Sequence, residues 1–256
     1  MFGNAPLVIP LLAFGLIWLD RKVFYHAACL TLLSIPVNVA LKISFQIPLL
    51  PGLGKVGFGF PSGHMQLVTS LYLALALQVK KTWFSGVILL LLIGFAWSLM
   101  YFGYHDFFQV LGGVFFALLL LIFYYLAYLK WPEKLAWIVL CFATCLIIYI
   151  HLRYPTPYVW EDYYGLWGLI IAEKITAKKQ GENLLTHKLL ATLLFVLGLV
   201  IIYAFFNYAL GSNRPDYISQ LQWFFVCFLP LRVNYYASEL IKRLGFHSPK
   251  NSEDGD

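Results

Sequence analysis

Lys55-Val-Gly-Phe-Gly-Phe-Pro61-Ser62-Gly63-His64 is a glycine-rich stretch that runs into an apolar segment beginning at Met65. Pro61 and Gly63 punctuate the backbone, and the amides that follow open a helix whose first N–H groups have no partner inside it. Such a terminus attracts anions. Ser62 adds a hydroxyl, and His64 adds a ring that exchanges a proton near neutral pH. The same four residues also read more simply, as a turn with a capping serine and an interfacial histidine.

The surroundings are those of a membrane protein. Of 256 residues, 61% are hydrophobic and 12% charged, and the mean hydropathy is +0.76. Soluble domains lie nearer one half and one quarter. In hydrocarbon only helices or a closed barrel can span. Long apolar runs without period-2 alternation exclude the barrel. The net charge of +6 comes from basic residues scattered in short clusters. That pattern fits loop bias and gives no nucleic-acid partner. Cys29, Cys141, Cys145 and Cys227 all lie in apolar runs and read as small buried hydrophobes. No metal site, cofactor or disulfide frame is expected. No basic segment precedes the first apolar run, so no cleavable signal peptide is expected.

A span needs roughly 20 apolar residues. The expected spans are 5–19, 24–47, 65–79, 84–104, 107–129, 135–152, 158–175, 189–210 and 219–240. The reading is an all-α polytopic membrane bundle. It comprises a six-helix core over 1–152, about three additional transmembrane helices over 153–247, and a disordered tail over 248–256. If the Ser62 loop faces out, thirteen lysines and arginines fall on the inner side. Lys42, Lys55, Arg153 and Arg214 remain outside, with Arg232 inside the last span. This bias places the Ser62 loop on the outer face. A bacterial inner membrane, with the site towards the periplasm, is the expected location.

That topology brings several groups to one end of the bundle. Lys42 lies in the outer half of the second span, Ser62 and His64 open the third, and His105 opens the fifth. Ionisable groups at membrane depth are costly and usually face a cavity or a partner.

These residues resemble the motifs of the type 2 phosphatidic acid phosphatases, whose core is shared with the vanadium haloperoxidases. The family pattern is Lys-x6-Arg-Pro, then Pro-Ser-Gly-His, then Ser-Arg-x5-His-x3-Asp. Pro61-Ser62-Gly63-His64 is intact. Ser98, Gly103 and His105 fit the third part, but Leu99 stands in place of Arg and Gln109 in place of Asp. The first part begins at Lys42, with Leu49 and Leu50 where Arg and Pro are expected. The resemblance covers roughly residues 1–152. It implies that His105 attacks phosphorus, that His64 protonates the leaving alkoxide, and that Lys42, Ser62 and the Gly63 amide bind phosphate. It implies a phosphorylated lipid as substrate and no metal.

The departures bear on the chemistry. Two guanidinium forks are missing, and these are the strongest phosphate ligands a side chain offers. Gln109 can still accept the His105 Nδ1–H but supplies no negative charge. Asp106 is one residue along from His105 and points elsewhere. Arg153 and Arg214, both on the expected outer face, either replace the lost forks or anchor span ends by snorkelling. Lys55 lends charge to the site or contacts a headgroup. Asn38 shares the face of Lys42. Glu161 and Asp162, set among Tyr158, Trp160, Tyr163 and Tyr164, read as interfacial carboxylates in an aromatic belt. Two functions follow: a membrane lipid-phosphate phosphatase or phosphotransferase, or a relative that kept the fold for lipid or partner binding.

Overall fold

The computed structural model describes residues 5–50, 57–154, 156–176, 185–209, 218 and 220–243. Lys55, Arg214, His247 and the expected tail lie outside the described residues. Among the described residues nine α-helices follow in order: α1 (Ala5–Trp18), α2 (Arg21–Phe45), α3 (Gly63–Val79), α4 (Thr82–Tyr101), α5 (Phe107–Lys130), α6 (Leu135–Arg153), α7 (Val159–Thr176), α8 (Leu185–Ala204) and α9 (Gln222–Arg243). A π-helical turn, Phe205–Ala209, extends α8. Among the described residues the sole β pairing is an isolated bridge between Pro48 and Phe58. The chain is thus an all-α polytopic bundle, and each expected span coincides with a helix.

Local chemistry sets the helix starts. Asp20, Ser62 and Asp106 each occupy an N-cap, and their side chains accept from the amides of Val23, Met65 and Gln109. Each cap satisfies a donor that the helix cannot. Four helices, α2, α4, α5 and α6, are long and apolar enough to cross a membrane, as is the segment Leu185–Tyr208. Large apolar side chains on their outer faces, such as Leu90 and Ile93 of α4 and Val200 and Ile201 of α8, are exposed. In a bilayer those faces meet lipid. By contrast, α3 has only 17 residues and packs against α2, α4 and α5. A helix wrapped by other helices need not be apolar on every face.

Two glycines let helices approach closely. A Cβ on Gly113 of α5 would sit 2.7 Å from the Ser62 carbonyl oxygen, so α5 passes directly beneath the Pro-Ser-Gly-His turn. A Cβ on Gly168 of α7 would overlap the carbonyl of Phe224 in α9. At the opposite end of the bundle, Arg21 of α2 donates from Nε and Nη2 to Glu173 of α7, at 3.0 and 2.6 Å. One continuous apolar cluster includes Leu30 and Leu33 of α2, Val68 and Leu71 of α3, Leu166 and Leu169 of α7 and Leu231 of α9. The packing therefore runs across the 152/153 boundary between the expected core and the additional helices.

Candidate active site

Antiparallel succession puts the C-terminal ends of α2, α4 and α6 beside the N-terminal ends of α3, α5 and α7. Lys42, Ser62, Gly63, His64, His105, Gln109 and Arg153 consequently share one end of the bundle. Ser62 is wholly buried. Its N–H donates to the Gln109 carbonyl at 2.9 Å, and its Oγ accepts from the Met65 amide at 3.4 Å. The turn that carries His64 is therefore tied to the first turn of α5. Asn38 secures the other side. Its Nδ2 donates to the Pro61 carbonyl at 3.2 Å and to Gln66 Oε1 at 2.9 Å. Gln66 in turn donates to the Ser34 carbonyl at 3.2 Å. Asn38 Nδ2 and both polar atoms of the Gln66 amide thus have partners, which helps a buried network to hold one geometry. A Cβ on Gly63 would lie 2.8 Å from Asn38 Oδ1, so this turn has no room for a side chain there.

His105 lies in the turn between α4 and α5 and is 7% exposed. Its Nδ1 is 2.7 Å from Gln109 Oε1. A carbonyl oxygen has no proton to give, so Nδ1 carries the hydrogen and Nε2 keeps its lone pair. Gln109 thus orients the ring as a carboxylate would, without the charge. Asp106 is occupied elsewhere: it caps α5, accepting from the Gln109 amide at 2.8 Å. Burial holds the His105 pKa below the usual histidine value, and the charge of Lys42 acts in the same direction. The Gln109 hydrogen bond and the negative charge of Asp106 oppose it. His64 and Lys42 line one cavity, and the charges of His105 and Lys42 both act on His64.

Leu99, at the position where the motif has arginine, is 8% exposed and belongs to the main apolar cluster. Its carbonyl accepts from the amides of Tyr104 and His105, closing the turn. Leu49 pairs through its amide with the Gly57 carbonyl. Arg153 is exposed at the end of α6. Arg214 lies outside the described residues.

A cavity of about 410 Å³ opens at this end. Lys42, Gly63 and His64 line its mouth together with Asn38, and across from them stand Glu161 and Asp162 of α7 and Tyr158 in the turn before it. Ser62, His105, Gln109 and Arg153 are not in its wall. Below the mouth the lining is apolar and comes from α1, α2, α7, α8 and α9. The part played by α7–α9 was not foreseen from the sequence. Its signal was Glu161-Asp162, two ionisable residues in the first turn of α7, which mark a cavity as readily as an interface.

The sequence matches the PAP2 superfamily over residues 23–133. The match covers under half of the chain, and it makes this segment similar to the PAP2 superfamily. It begins in α2 and ends after α5, so it contains every motif residue from Lys42 to Gln109. Helices α1 and α6, which the resemblance was expected to include, fall outside the matched residues, as do α7–α9. No curated protein and no solved structure matches the chain. Members of the superfamily are generally phosphatases, and five helices of this chain are long and apolar enough for an integral membrane protein.

Proposed function

We propose that the protein removes or transfers the phosphate of a membrane lipid through a phosphohistidine, at the outer face of a bacterial inner membrane. The observation that carries this reading is the 2.7 Å contact between His105 Nδ1 and Gln109 Oε1, made beside Lys42 and His64. It fixes the tautomer that leaves Nε2 free to attack. In the forward step, the Nε2 lone pair forms the N–P bond as the bond from phosphorus to the lipid oxygen breaks. His64 gives its proton to the departing alkoxide. Water, deprotonated by the now neutral His64, then attacks phosphorus and breaks the P–N bond. An alcohol in place of water makes the enzyme a transferase.

Lys42, the Ser62 hydroxyl and the Gly63 amide supply positive charge and donors to the phosphoryl oxygens, as phosphoryl transfer requires. Arg153 and Arg214 remain candidates for the missing guanidinium forks. The positive-inside bias supports the outward orientation. A second reading is favoured by Leu99, whose side chain belongs to the apolar cluster where the motif expects a cation. Under it the protein binds a phosphorylated lipid without cleaving it.

Phosphate release from a panel of lipid monophosphates and diphosphates by the purified protein separates the two. The phosphatase reading expects turnover, an acid-labile phosphoenzyme, and loss of both in His105→Ala by roughly 1,000-fold or more. Binding of the same lipids with no release and no phosphoenzyme would leave the binding protein.

A further inference from the structure

We infer that the cavity beneath the Lys42–His64 mouth takes the hydrocarbon chain of the ligand into the protein, with α7–α9 forming the wall that sets its length. The inference rests on the reading of that mouth as a lipid-phosphate site. The cavity follows one face of α2 through Lys42, Asn38, Ile35, Thr31 and Ala28. From Lys42 to Ala28 is fourteen residues, or about 21 Å of helix. One leaflet of a bilayer is roughly 15 Å of hydrocarbon, half of the whole core. A chain laid along this face therefore lies inside the bundle for its length, with no need to remain in the membrane.

The lining changes character with depth. Charged residues are confined to the mouth, and deeper down the Thr31 hydroxyl is turned to the Ala27 carbonyl of its own helix. Lower down the wall is Leu16 of α1, Leu169 of α7, Phe195 of α8 and Val226 and Pro230 of α9. Apolar walls offer water too few partners, and a folded interior does not leave so large a space unfilled. A hydrocarbon occupant answers both conditions. Spread over about 21 Å, 410 Å³ gives a mean cross-section of about 20 Å². That is on the order of the section of a single chain whose neighbours sit at about 4.5 Å. Glu161 and Asp162 share the mouth with Lys42 and His64. The headgroup admitted there carries hydrogen-bond donors, hydroxyl or ammonium, beside its phosphate.

The test uses the full-length protein in lipid nanodiscs and hexadecyl phosphate bearing a photoreactive diazirine at the chain terminus. Labelled peptides are mapped by mass spectrometry, in the wild type and in His105→Ala. The expected result is labelling of α1, α8 and α9 in both. Leu16→Trp, and independently Phe195→Trp, should reduce that labelling roughly tenfold or more while sparing an octyl analogue. The octyl control reports that each variant is folded. Labelling confined to the outward faces of α4 and α5, or unchanged by either tryptophan, would overturn the inference. Phosphate release with no effect of the tryptophans on chain length would keep the phosphatase and reject the channel. Chain labelling of the expected helices without any release would do the reverse.

Discussion

Helices α3 and α7 face each other across the same cavity, yet they are held in place by different means. The cavity end of α3 is fastened by the Ser62 bond to Gln109 and by the Asn38–Gln66 network. At the cavity end of α7 a hydrogen bond joins Tyr163 Oη and Thr144 Oγ1 of α6 at 2.9 Å, and its other anchors lie further along, at Gly168 against Phe224 and at the Glu173–Arg21 ion pair. Directional hydrogen bonds fix the reacting groups to within a fraction of an ångström, as phosphoryl chemistry demands. Shape packing suffices for a wall that only has to exclude lipid and water. Substitutions on the α3 side should therefore act on rate, and those on α7 on stability or chain preference.

The largest effect expected in this comparison is at Lys42. Lys42→Met keeps the length of the side chain and removes the cation that lines the mouth with His64. Phosphate release should fall on the order of 100- to 1,000-fold, the loss typical of one transition-state donor. A fall of similar size from a neutralised carboxylate on α7, Asp162→Asn, would break the distinction between the two sides.

Next comes Gln109. Gln109→Leu leaves the His105 ring without its acceptor and should cost roughly 10- to 100-fold, as loss of an orienting partner does. The pH profile provides an independent readout. The nucleophile must be neutral, so activity falls as pH drops through the His105 pKa. Burial already holds that value below the ordinary one, and the Gln109 bond is what opposes the shift. Removing it should move the acid limb of kcat/KM to still lower pH while the plateau falls. A limb that moves upward would mean that Gln109 does not stabilise the charged ring.

The smallest effect belongs to the far end. Glu173→Gln weakens a partly buried ion pair with Arg21 and should cost about 1 kcal/mol at most, read as a lower thermal unfolding midpoint. Turnover should stay within about twofold, since the pair sits at the end of the bundle away from the mouth. A large loss of turnover would show that the position of α7 is transmitted to the chemistry.

Much of this was legible beforehand. The span expected at 107–129 is a helix over Phe107–Lys130, and that expected at 135–152 is Leu135–Arg153. Long apolar runs broken by Asp20, Ser62 and Asp106 leave little choice of boundary, because each of these residues caps the helix that follows it. The grouping of Lys42, His64 and His105 followed from alternation alone, since consecutive spans must enter and leave at opposite faces. The Gln109–His105 bond was anticipated from the resemblance, in which Gln109 stands where the motif has the aspartate that orients the histidine.

What the order of residues determined, then, is a membrane bundle, its helix limits and the end at which the imidazoles lie. The tertiary structure alone decided that α7–α9 close a cavity against α1 and α2, that its mouth includes Glu161 and Asp162, and that Leu99 turns into the apolar cluster. The physical reason is the uniformity of the helix surfaces. When nearly every face is apolar, hydropathy cannot tell a face turned to lipid from one turned to another helix or to a cavity. Only close packing between residues far apart in the chain, as at Gly168 and Phe224, makes that choice.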